Sequence, residues 1–161
     1  MGLIQINTGQ HTSPVGNFQA VPPYVLDMVT WGRTEALKIA KKRNAANVYF
    51  KSIAEGSRSL LELLSDSNMW INYHPTFNGY GITPGYGSGF ATEFAIATFA
   101  FRAGKRLVLA TIIHELAHCN GAPGGDSRVA EQALIACGLG KKSEIDGKDD
   151  PKTPFNPTVR G

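Results

Sequence analysis

Thr111-Ile112-Ile113-His114-Glu115-Leu116-Ala117-His118-Cys119-Asn120-Gly121 is the stretch on which the reading of this chain turns. Its apolar residues, continued upstream by Leu107-Val108-Leu109-Ala110, describe a buried helix. Asn120-Gly121 is where such a helix stops, because glycine accepts the left-handed conformation that closes a C-terminus. Within the helix two histidines stand four residues apart. They lie one turn above each other on one face, about 6 Å apart along the axis. Both imidazoles can then reach one metal ion, and Glu115 stands beside them, placed to take a proton from an attacking water. The chain has four histidines in 161 residues, so two at this spacing on an apolar helix are a specific signal. A helix that buried the pair for packing alone would still have to satisfy their polar nitrogens.

The pattern His-Glu-x-x-His at the C-terminal end of a core helix resembles the zincin superfamily of zinc metallopeptidases, over roughly residues 103–140. The resemblance implies that His114 and His118 bind Zn2+ and that Glu115 is the general base. Catalytic zinc centres take three protein ligands and leave a fourth position open for water. The metzincin extension would place its third ligand at position 124, which is glycine here. Two acids remain. Asp126 lies eight residues past His118, a spacing similar to that of aspzincin-like peptidases, but it also suits the N-cap of the helical run Ser127–Cys137 that stops at Gly138. Glu131 lies inside that run with Leu134 and Ile135 as its helical neighbours, away from other charges. The loop 121–125 is short, so the two helices should fold back antiparallel. Reflection through the turn then sets Glu131 opposite His114. A glutamate on the helix after the motif is the gluzincin arrangement, and Glu131 is preferred over Asp126 as third ligand.

The oxyanion formed in amide hydrolysis needs a donor. His74, Tyr73, Tyr80 and Tyr86 are the candidates, in or beside the glycine-rich stretch 74–89, which should border the cleft. His11 has no motif around it and reads as solvent-exposed. Cys119 and Cys137 fall at opposite ends of the helical hairpin, too far apart to bridge, and read as buried free thiols. Cys119 turns away from the metal face and is not counted as a ligand.

Composition bounds the remainder. Hydrophobic residues make up 42% and charged residues 18%, the balance of one globular domain over 1–161 rather than of a disordered chain. Residues 1–20 and 141–161 are polar and read as extended tails. The net charge of +3 is too small and too dispersed for nucleic-acid binding; its densest cluster, Lys38, Lys41, Lys42 and Arg43, reads as a solvated helix face. No run of about 18 apolar residues suggests a membrane span. The opening Met1-Gly-Leu-Ile-Gln-Ile turns polar too soon for an export signal, which leaves the cytoplasm or a signal-independent secretion route.

Helices are expected from Val21-Pro22-Pro23 through Lys41 with a break at Gly32, over 45–54, and over 58–64 capped by Ser57. Trp31 and Trp70 read as core residues. Strands are expected over 68–73 and 89–101, the second lining the cleft and pairing with an extended substrate. The expected fold is therefore a compact, mainly helical α+β zincin with a small antiparallel or mixed sheet and a motif helix. The implied reaction is peptide-bond hydrolysis on a protein or peptide substrate. The layout resembles bacterial effector or toxin metallopeptidase domains, which implies an inhibitor or immunity protein as partner. Two other classes share the same residues: a zinc-stabilised binding module without turnover, and a metal-dependent amidase acting on cell-wall peptide.

Overall fold

Thirteen consecutive residues, Leu107 to Cys119, are buried in the motif helix. A helix apolar all round belongs at the centre of a fold, and the chain is assembled around this one. The computed structural model describes residues 2–85, 89–124 and 128–140. In chain order these hold β1 (Gln5–Ile6), a 3-10 turn (Pro23–Val25), α1 (Leu26–Lys42), α2 (Asn44–Lys51), α3 (Leu60–Leu64), β2 (Trp70–His74), β3 (Gly81–Ile82), β4 (Glu93–Ala97), α4 (Thr98–Ala103), α5 (Lys105–Cys119) and α6 (Val129–Ala136). This is an α+β fold with a small mixed sheet, as expected. The sheet order is β1-β2-β4-β3, with β1, β2 and β4 parallel and β3 antiparallel on the edge.

Helix α5 packs against α1, α4 and α6 and against the β3–β4 end of the sheet. Its stripes divide the work. Val108 and Ile112 face α1, where a Cβ on Gly32 would come within 2.8 Å of Ile112 Cδ1. Gly32 therefore does not break the helix, as the sequence suggested. Helix α1 runs through it unbroken, and the missing side chain lets two helices touch. Thr111 and Glu115 face β3, where a Cβ on Gly81 would stand 2.6 Å from Thr111 Cγ2 and 3.0 Å from Glu115 Cγ.

Four further expectations are corrected. The N-terminal segment is extended, but it is no tail: β1 pairs in parallel with β2, and Ile4, Ile6 and Phe18 are buried. The cap of α3 is Ser59, not Ser57. Ser59 Oγ accepts from the Glu62 N–H at 3.0 Å and the Glu62 carboxylate accepts from the Ser59 N–H at 3.1 Å, a reciprocal capping box. Residues 89–101 split into β4 and the start of α4; the composition of the two halves does not account for the change, since the strand half holds more of the alanines. Finally, β4 lies between β2 and β3. Its edges are already paired, so it is not the strand that an extended substrate could join. Trp31 and Trp70 are half-buried, Trp31 beneath the Lys105 ammonium and Trp70 beneath the His11 ring. The basic side chains Lys38, Lys41, Lys42 and Arg43 are exposed, and Lys38 pairs with Glu35 one turn back.

Candidate metal and catalytic centre

The last two turns of α5 carry His114, Glu115 and His118, each 1–3% exposed. The end of the helix is held firmly. The Asn120 side chain donates to the carbonyls of Phe50 and Arg58, both at 2.9 Å, and accepts from the Arg58 N–H at 2.8 Å. Gly121 then takes φ 103° to turn the chain. The sequence marked Asn120 only as a helix stop. Its role as a clamp between three segments depends on tertiary placement.

The two motif rings meet. His118 Nδ1 lies 2.9 Å from the carbonyl oxygen of Ala122. A carbonyl only accepts, so Nδ1 carries the hydrogen and the neutral ring presents its lone pair at Nε2. That nitrogen stands 3.2 Å from His114 Nε2. The other ring nitrogen of His114, Nδ1, is 3.4 Å from Glu131 Oε1, an ion-pair distance with no hydrogen bond between the two atoms. With its hydrogen on Nε2, His114 donates to His118 across the 3.2 Å; with it on Nδ1, the two Nε2 lone pairs could share one cation. Two nitrogens bound to one tetrahedral zinc at about 2.0–2.1 Å would lie about 3.3 Å apart. The separation of the two nitrogens thus matches the spacing of two ligands on one zinc ion.

Glu115 completes the cluster. One carboxylate oxygen, Oε2, is 3.9 Å from His114 Nε2. The other, Oε1, accepts from the Thr83 hydroxyl at 2.8 Å. Glu131 is where reflection through the hairpin set it, buried on α6 and against His114. Its oxygen addresses Nδ1 rather than the Nε2 that faces His118. Among the described residues no three His, Cys, Asp or Glu side chains close on one point tightly enough to enclose an ion alone. Asp126 and Tyr86 lie outside the described residues.

The other candidate donors are engaged elsewhere. The Tyr73 hydroxyl pairs with that of Thr98 at 2.9 Å. His74 packs edge-on to Phe18 and beside Phe77, and burial holds its ring below the usual imidazole value. Tyr80 lines a shallow groove of about 220 Å³ with Asn78, Gly79 and Phe99. None of these contacts involves His114, Glu115 or His118. His11, expected in solvent, is instead stacked on Trp70 at 4.3 Å and directs Nε2 at Glu93 Oε1, 3.2 Å away. Both cysteines are buried and free; burial pushes the Cys119 thiol up and that of Cys137 up to about 12, so neither offers a thiolate. Among the described residues no helix is long and apolar enough to cross a membrane.

Comparisons with protein-family models, with curated proteins and with solved structures find no match to this chain.

Proposed function

We propose that this chain is a zinc-dependent peptidase in which His114 and His118 hold the metal through Nε2 and Glu115 is the general base. The observation that carries the reading is the pair of Nε2 atoms 3.2 Å apart with a carboxylate oxygen 3.9 Å from one of them. Buried ionisable side chains gathered at one point cost stability and mark functional sites. The third ligand is an acid from the segment after the motif, Glu131 or Asp126. Zinc, when bound, lowers the pKa of water to about 7 and polarises a carbonyl. Glu115 Oε2 accepts the proton of the attacking water and returns it to the leaving amine. The Ala122 carbonyl fixes the tautomer of His118.

The test is metal content together with hydrolysis of a broad peptide library, for the wild type, Glu115→Gln, Glu131→Ala and Asp126→Ala. The proposal expects one zinc per chain, turnover in the wild type, and zinc without turnover in Glu115→Gln. Loss of zinc in one acid variant alone names the third ligand. Absence of zinc from the wild type would return both histidines to the core. One observation favours a second reading, a zinc-stabilised module without turnover: the three motif side chains are almost wholly covered. That reading expects Glu115→Gln to leave every function unchanged.

A further inference from the structure

Strand β3 is only two residues long, yet it and Thr83, the residue that follows it, set two features against the motif helix. Side chains alternate along a strand, so residues 81 and 83 share a face while 80 and 82 point away. Pairing with β4, Gly81 to Ile96 and Ile82 to Ala95, turns that shared face toward α5. Gly81 contributes absence. Any Cβ there would stand 3.0 Å from Glu115 Cγ and 2.6 Å from Thr111 Cγ2, so only glycine lets the strand come this close without displacement. Thr83 contributes a donor. Its hydroxyl is buried and lies 2.8 Å from Glu115 Oε1, with the Glu115 backbone carbonyl at 3.3 Å.

A carboxylate has no hydrogen to give, so the hydroxyl donates, and the shorter contact marks Oε1 as its main acceptor. The two oxygens of Glu115 are thereby made unequal. Oε1 is committed to the strand. Oε2 is the one left toward His114 Nε2. A glutamate side chain has three rotatable bonds and loses much freedom when fixed. The Thr83 contact fixes it from outside the helix that carries it.

We propose that Thr83 is a positioning residue for Glu115, holding Oε1 so that Oε2 alone faces the paired histidine nitrogens. Thr83 touches neither metal nor substrate and acts only through the carboxylate. The inference rests on the peptidase reading given above and adds to it a residue remote from the motif, on another element.

The experiment compares Thr83→Val, Thr83→Ser and Thr83→Ala with the wild type and Glu115→Gln. For each, zinc content, melting temperature, kcat and KM are measured on a peptide that the wild type cleaves. Thr83→Val keeps shape and removes the hydroxyl. It should retain zinc and lose roughly 10- to 100-fold in kcat with KM little changed, the scale of loss when a catalytic group is misplaced by about 1 Å. Thr83→Ser should recover most of the rate. Should Thr83→Val fold poorly, the serine and alanine variants carry the same contrast, since they differ by the hydroxyl alone. Wild-type kcat in a zinc-loaded Thr83→Val or Thr83→Ala protein, or a serine variant no faster than alanine, overturns the positioning role. A Glu115→Gln protein as active as the wild type overturns the peptidase reading itself, and the positioning role with it.

Discussion

Two buried clusters of histidine and carboxylate sit in this molecule, and they are built on opposite principles. In the first, His11 stacks on Trp70 and meets Glu93, whose Oε1 also accepts from the Asn72 amide at 2.8 Å. Asn72 Oδ1 in turn accepts from Asn7 at 2.8 Å. Each donor in that chain meets an acceptor, and the network ties the N-terminal segment to β2 and β4. In the second, His118 Nε2 faces His114 Nε2, with Glu115 and Glu131 on either side. There the two ring nitrogens meet each other rather than a carboxylate. A polar network made for stability closes on itself. On the reading proposed above, the second cluster keeps two Nε2 atoms within reach of one added ion. Residue types alone, a histidine beside a glutamate in both, do not separate the two; which atoms meet does.

That contrast can be broken most forcefully with the metal itself. Zinc at a 1,000-fold excess over its Kd should raise the unfolding free energy by about 4 kcal/mol, and a chelator should reverse this. His118→Ala should abolish the zinc response. A wild-type melting temperature indifferent to zinc would remove the distinction between the clusters. Next in size, Glu93→Ala removes the shared acceptor of the closed network. It should cost about 2 kcal/mol in denaturant unfolding, because the Asn72 amide loses its shorter acceptor and keeps only the Phe94 carbonyl at 3.3 Å, and His11 loses its carboxylate, while zinc content stays at the wild-type level. Loss of zinc on this substitution would show that the two clusters are one.

Smaller effects calibrate both. Ser59→Ala, outside either cluster, should cost about 1 kcal/mol through loss of the α3 cap. The Ser59 backbone N–H, followed by its side chain, holds the Glu62 carboxyl below its ordinary value. A folded value below the unfolded one stabilises the protein above the unfolded carboxylate range, and this contribution is lost as pH falls through the folded value. Denaturant titrations at descending pH should therefore show a shallower acid-side loss in Ser59→Ala than in the wild type. Smallest of all is Thr111→Val. The Thr111 hydroxyl is buried and has no hydrogen-bond partner among the described residues. Its removal should change stability by no more than about 0.5 kcal/mol, or raise it. A loss of several times that would reveal a partner for this hydroxyl in the site.

The motif helix was legible in the sequence because its information is local: spacing, an apolar run and a glycine stop all lie within fifteen residues. The meeting of Glu131 with His114 was legible for a related reason, since a short loop between two helices leaves little choice of geometry. Position 32 was misread because a glycine inside a helix reads as weakness until the neighbouring helix is known. His11 and the first twenty residues were misread because their partners lie some 65 residues away, across a parallel pairing that leaves no periodic mark on two residues of strand. Thr83 was invisible on the same ground. The capping box Ser59-x-x-Glu62 is local and legible in the sequence, two residues past Ser57.

The parallel pairing of β1 with β2 has a consequence for the order in which the molecule is made. Gln5 and Ile6 leave the ribosome long before Trp70 and Ile71, their register partners. Ile4, wholly buried in the finished protein, stays uncovered through that interval. Long-range pairings of this kind close late and slow the search for the native state. The nascent chain thus carries an unpaired strand edge through the synthesis of some 65 residues, and that strand is claimed before the motif helix emerges.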